Sequence, residues 1–260
     1  MLKIFKYSFF DLIRSRWIYA YFSFYLITAI SLLYISNDLN RAILSLMNIV
    51  IILSPLIGTM FGVMYYYNSR EFVELLLAQP VKRTAIFLGQ YLGLTVSFSL
   101  SFGLGLGLPF LFNGILGSEE IGNFLILLLN GTLLTFIFTA IAFLISLLNE
   151  NKIKGFGLAI IIWLFFAVIY DGLFLLSLVI FEDYPLDSFA LIASIFNPID
   201  LSRIFMMLQL DISALLGYTG AVFNKFLGTN MGIVVALISS LLWVFIPVKG
   251  FLHYSLKKDF

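Results

Sequence analysis

The sequence contains no cysteine and a single histidine, His253. Disulfides, thiolate metal sites and cysteine nucleophiles are therefore excluded, while the redox compartment stays undetermined. Charge is the next scarcity. Asp, Glu, Lys and Arg supply 11% of the 260 residues, against about 25% in an ordinary soluble domain. There is no Gly-x-x-x-x-Gly-Lys-Ser/Thr run, so no phosphate cradle and no nucleotide site is expected. A net charge of +1 gives no electrostatic basis for a nucleic-acid partner. No Ser/Gly/Pro-rich linker interrupts the chain, so one domain over residues 1–260 is expected.

What is present is apolar: 62% of the residues are hydrophobic, 17% are aromatic, and the mean hydropathy is +1.07. A helix needs about 20 mostly apolar residues to cross a bilayer core. Stretches of that kind are expected to span at about 17–37, 42–68, 84–112, 121–149, 155–181 and 226–248. Helices are the expected form, because lone strands in lipid leave backbone groups unpaired. The first run is too long for a secretion signal and no small-x-small cleavage site follows, so it is read as a retained helix. With the N-terminus inside, twelve Lys and Arg lie on the inner side and only Arg41, Arg203 and Lys225 outside. That asymmetry puts both termini in the cytoplasm. Most acids lean the other way, with Asp38, Glu119, Glu120, Glu182, Asp183, Asp187, Asp200 and Asp211 outside.

Three segments are not spans. Lys3–Arg16 mixes apolar and charged residues and reads as an interfacial amphipathic helix, or else as a basic flank of the first span. The loop 69–83 places Arg70, Glu71 and Glu74 among Phe72, Val73, Leu75, Leu76 and Leu77. An amphipathic helix over 70–80 is expected, capped by Ser69 and ended by Gln79-Pro80. Such a helix suits docking to a cytoplasmic partner, the alternative being contact with lipid alone. On the outer side, 182–225 holds two apolar stretches, 188–199 and 212–224, too short to cross and too apolar for a solvated loop. Short re-entrant or interfacial helices are expected, with Asn197-Pro198-Ile199-Asp200 marking a helix start.

Candidate chemistry is sparse. Asp171 is the one acid within a span, and so a candidate functional residue, with structural pairing as the alternative. Met60 and Met64 lie one turn apart and Met206-Met207 are adjacent; thioether sulfur suits copper(I), but methionine at this spacing is ordinarily packing. His253 falls in the tail and is read as structural or solvated, so no metal or cofactor is assigned to this chain. Gly58-x-x-x-Gly62, Gly89-x-x-x-Gly93 and Gly228-x-x-x-Gly232 speak for close helix packing.

The string from Glu74 through Pro80, Val81 and Arg83, followed by Phe87-Leu88-Gly89, resembles the coupling segment of ABC-2-type transporter permeases. The resemblance extends over the whole layout. It implies an all-α polytopic membrane protein: a six-helix ABC-2 (type V exporter-like) transmembrane domain. Its further parts would be an N-terminal elbow helix, a cytoplasmic coupling helix and short extracytoplasmic re-entrant helices. Arg70, Glu71, Phe72, Glu74, Leu75, Leu76, Gln79, Pro80 and Arg83 would couple to a separate ATPase that holds ATP and magnesium, so this chain is not itself expected to be an enzyme.

Gly107-Leu108-Pro109-Phe110 and the run Asn197–Arg203 are further similar to permeases that support copper-site assembly in nitrous oxide reductase. That likeness implies a second copy of the chain, a NosF-like cytoplasmic ATPase dimer and a NosD-like periplasmic protein as partners, with a copper chaperone among the candidates. Asn197, Pro198, Asp200 and Arg203 would belong to the segment facing the periplasmic partner. The implied location is the bacterial cytoplasmic (inner) membrane. The action is either export of a sulfur species or a mechanical effect on that partner. The alternatives are an ABC-2 exporter of a lipid or hydrophobic compound, a secondary transporter, and a membrane scaffold without transport.

Overall fold

The structure, a computed structural model, describes residues 1–181, 187–209 and 218–258, with the backbone alone for 187, 188, 208, 209, 218–230 and 233. Every regular element among the described residues is helical. The chain begins with α1 (Leu2–Ile13), turns at Arg14 and Ser15, and enters the first span, α2 (Arg16–Ser36). Asn37 then adopts a left-handed conformation (φ 49°) that ends α2. Asp38 caps α3 (Leu39–Asn68) by accepting from the Asn40 amide at 2.9 Å. A short helix α4 (Arg70–Leu77) follows, then α5 (Arg83–Phe112), a 3-10 turn at Ile115–Gly117, and α6 (Ile121–Leu148). The third span stops at Phe112, and Gly114 turns the chain at φ 79°.

The fifth span is composite. It comprises α7 (Lys152–Leu164), a π-helical stretch Phe165–Ile169, and α8 (Tyr170–Ile180). The irregular stretch thus lies just upstream of Asp171, and Gly172 itself is helical with open space around it. Two short helices, α9 (Asp187–Ile195) and α10 (Pro198–Gln209), meet at a bend of 109°. The last helix, α11, runs over Tyr218–Lys257. Among the described residues, six helices are long and apolar enough to cross a membrane.

Two expectations need correction. The last span was expected at 226–248, but α11 starts earlier and continues beyond Lys249 into the tail. The tail is held by packing: Phe251 is fully buried, 5.5 Å from the Tyr91 ring and 5.8 Å from that of Phe143. Consequently 218–225 belongs to the last helix rather than to a re-entrant segment. The remainder of the apolar stretch 212–224, together with Glu182, Asp183 and Asp211, lies outside the described residues.

Packing explains the small residues. Lipid tails are as apolar as leucine, so helices in a membrane associate through close contact rather than hydrophobic expulsion. A Cβ at Gly62 would meet the Ala142 side chain at 2.6 Å, and one at Gly58 the Thr135 carbonyl oxygen at 3.3 Å. This is the seam between α3 and α6. Gly89 and Gly93 likewise admit Ile4 and Ser8 of α1, so the second glycine pair seats the N-terminal helix on α5. The central α6 is buried along most of its length, whereas the fifth span contributes only Gly155, Ala159 and Phe174 to the buried set.

Candidate functional site

A single residue, Ser69, separates α3 from α4 and so serves both helices. The expected Ser69 cap is not formed. Its hydroxyl turns back to donate to the Tyr66 carbonyl at 3.2 Å, satisfying the end of α3 instead. The helix itself is shorter than the expected 70–80, ending at Leu77 with Ala78, Gln79 and Pro80 beyond it.

One side of α4 is fixed to the bundle. Val73 is buried, Leu76, Leu77 and Val81 pack on the core, and Phe72 stacks on Tyr7 of α1 with ring centroids 4.7 Å apart. The opposite side presents Glu71, Glu74 and Leu75, the last 69% exposed. Arg70 and Glu74 pair across one turn at 3.0 Å, an exposed pair that contributes little stability. Of the residues the sequence put forward for coupling, Phe72 and Leu76 are thus anchors, while Glu71, Glu74, Leu75, Gln79 and Pro80 are exposed. Arg83 faces elsewhere, donating from Nη1 to the Lys258 carbonyl at 2.8 Å. Lys258 Nζ in turn donates to the Leu147 carbonyl at 2.7 Å, which ties the starts and ends of three helices together.

The second group of interest surrounds Asp171. Arg203 reaches it from α10 at 3.0 Å and also holds Asp200 at 2.7 Å. Asn197 completes the cluster: its side-chain amide donates to the Phe166 carbonyl at 3.0 Å and to Asp171 at 3.3 Å. Its Oδ1 accepts from the Ile199 amide at 3.0 Å, so Asn197 also caps α10, with Pro198 in the first turn as expected. Asn197 and Pro198 are buried and the two charged side chains of α10 turn into the bundle. These residues thus engage groups of the chain itself, around Asp171 and the start of α10. The physical reason is that Asp171, within a span, requires a counter-charge.

The same region is tied to the spans by uncharged groups. Tyr170 donates to the Ala193 carbonyl at 2.6 Å, Trp243 to Ile195 at 3.0 Å and Asn130 to Ser202 at 2.7 Å. None of these three had been singled out from sequence, although Asn130 is a polar residue in the middle of an apolar run. Two carboxylates share one guanidinium here. Burial raises the Asp200 carboxyl and the nearby Asp171 raises it further; Arg203 offsets only part, leaving it at about 7.

No group of three or more His, Asp or Glu side chains converges among the described residues. No family model matches the chain. Across 95% of its length, however, it is 24% identical to the probable ABC transporter permease protein NosY of Stutzerimonas stutzeri, covering 93% of that protein. The chain is a homologue of an ABC transporter permease. Six apolar helices and an all-helical bundle agree with that relationship. The relative is named as a permease protein, and the six apolar helices among the described residues fit a multi-pass membrane component.

Proposed function

We propose that this permease homologue converts the closure of a cytoplasmic ATPase dimer into motion at the outer face of the membrane. The observation that carries the reading is the two-sided character of α4. A helix gripped on one side by Val73, Phe72 and Leu76 and open on the other at Glu71, Glu74 and Leu75 can receive a push and pass it on. Lys and Arg asymmetry supports an inner-side position for α4, for both termini, and for a NosF-like ATPase against it. The route outward runs through α3, which joins α4 directly and packs along α6. From α6 the contact of Asn130 with Ser202 leads to α10 and the Asp171 cluster.

By likeness to the NosY protein, the transporter would work as two copies of this chain and act on a NosD-like periplasmic protein. It would thereby support copper-site assembly in nitrous oxide reductase, either by exporting a sulfur species or by reshaping that partner. The test is co-purification of the tagged chain with its ATPase. Leu75→Arg removes an exposed apolar contact without disturbing the bundle, and is expected to reduce ATPase recovery by about tenfold, equivalent to ~1.4 kcal/mol. Unchanged recovery would remove α4 from the docking surface. Normal nitrous oxide reductase maturation in a strain lacking the chain would argue instead for export of a lipid or hydrophobic compound.

A further inference from the structure

At the turn between α1 and α2 the structure contains a cavity of about 510 Å³, within the range of small-molecule sites. Its inner wall is apolar and aromatic, formed by Trp17, Phe61, Met64 and Phe98. The Trp17 and Phe61 rings lie 5.5 Å apart. Asp11 and Arg14 stand at its edge, and both also line a neighbouring hollow flanked by Lys3 and Lys6.

Asp11 and Arg14 are three positions apart, a spacing at which opposite charges meet on a helix. Elsewhere in this chain the same spacing does close: Asp38 with Arg41 at 3.6 Å, and Asp200 with Arg203 at 2.7 Å. Asp11 and Arg14 do not close on each other, and neither side chain makes a hydrogen bond or ion pair with another described residue. The edge of the cavity therefore offers one free anion and one free cation side by side, above an apolar slot.

The position along the membrane normal adds to this. Arg14 and Ser15 mark the point where an amphipathic helix gives way to a span beginning at Arg16, which is headgroup depth for a bilayer. We infer that this cavity binds a zwitterionic aminophospholipid, its phosphate on Arg14, its ammonium on Asp11, and its chains running past Trp17 and Phe61. A guanidinium recognises phosphate through paired donors, and a carboxylate accepts from the three donors of a primary ammonium. The bound lipid also touches Ser69 and Phe72 at the root of α4, so it braces the helix proposed to meet the ATPase. The site depends on the chain lying in a bilayer, and is independent of what the transporter moves.

Native mass spectrometry of the full chain, exchanged into phosphatidylethanolamine, phosphatidylglycerol and phosphatidylcholine of matched chains, tests it. Phosphatidylethanolamine is expected to be retained about tenfold over the other two, the worth of one charge-assisted hydrogen bond. Asp11→Asn should erase that preference while Asp11→Glu keeps it; Arg14→Gln should lower retention of all three, and Arg14→Lys should restore part of it. Equal retention of phosphatidylglycerol by the parent protein overturns the inference, as does an Arg14→Gln variant that holds lipid unchanged. Displacement by chain-free glycerophosphoethanolamine at equal concentration would also overturn it, since the apolar slot would then contribute nothing.

Discussion

Tyr67, at the end of α3, donates a 2.6 Å hydrogen bond to the carbonyl of Asn149, at the end of α6. The two residues are 82 positions apart, and the bond closes the same end of the bundle from which α4 projects. Lys152 reinforces it by donating to Asn68 at 3.0 Å. The hinge of α4 is consequently pinned to the central helix.

That bond is permitted by Gly155, where an added Cβ would collide with the Tyr67 hydroxyl. Gly155→Ala is expected to displace the ring and to destabilise the detergent-solubilised protein by about 1–3 kcal/mol, the usual cost of overpacking. Tyr67→Phe, which removes only the hydroxyl, should cost about 1 kcal/mol. Thermal unfolding of the two variants side by side separates the steric effect from the hydrogen bond.

Glycines of one helix should respond oppositely. A Cβ added at Gly93 would meet the Ser8 side chain at 2.6 Å, whereas one at Gly103 or Gly107 would have nothing within 4 Å. Gly93→Leu should detach α1 from α5 and expose the N-terminal helix to protease. Alanine at 103 or 107 should be neutral or stabilising by about 0.5–1 kcal/mol through helix propensity. Limited proteolysis and melting temperature together read both outcomes.

The Asp171 cluster has an unequal charge count, with two carboxylates and one guanidinium. Removing the cation should hurt more than removing either acid. Arg203→Ala is expected to lose about 1.5–3 kcal/mol, the range for hydrogen bonds to charged groups. Asp171→Asn retains a hydrogen-bonding group and relieves the crowding of two acids, so it should lose less. A denaturation series in which Asp171→Asn proved the worse variant would contradict the sharing of one arginine by both acids.

A pH effect follows from Asp200, whose carboxyl is raised to about 7 in the folded chain. Between the ordinary carboxylate range and that value, the folded protein holds a proton that the unfolded protein has released. Its stabilising effect is thus complete below the ordinary value and is lost as pH rises through about 7. Unfolding between pH 4 and pH 8 should show stability falling with pH, with a shallower slope in Asp200→Asn. Parallel slopes for parent and variant would show that another group titrates.

Much of the architecture was legible without coordinates, because bilayer thickness makes a spanning helix a local property of about 20 apolar residues. Five of the six long apolar helices among the described residues begin and end within a few positions of the hydropathy limits. The last escaped, since α11 continues through Lys249 on the strength of Phe251 packing between Tyr91 and Phe143. Helix α4 was visible as an amphipathic stretch, yet its division into anchored and free residues was not, because Phe72 depends on Tyr7 sixty-five positions earlier.

By itself, then, the sequence determined that this is an all-helical chain with six stretches apolar enough to cross a membrane and an amphipathic helix between the second and third. Those properties follow from hydropathy and turn chemistry over a few neighbouring residues. Only the tertiary structure decided which polar groups meet. Arg203 with Asp171, 32 positions away, and Arg83 with Lys258, 175 positions away, join residues whose local contexts carry no trace of each other. In a medium without water, a buried polar group takes whichever partner the packing of distant helices brings within reach.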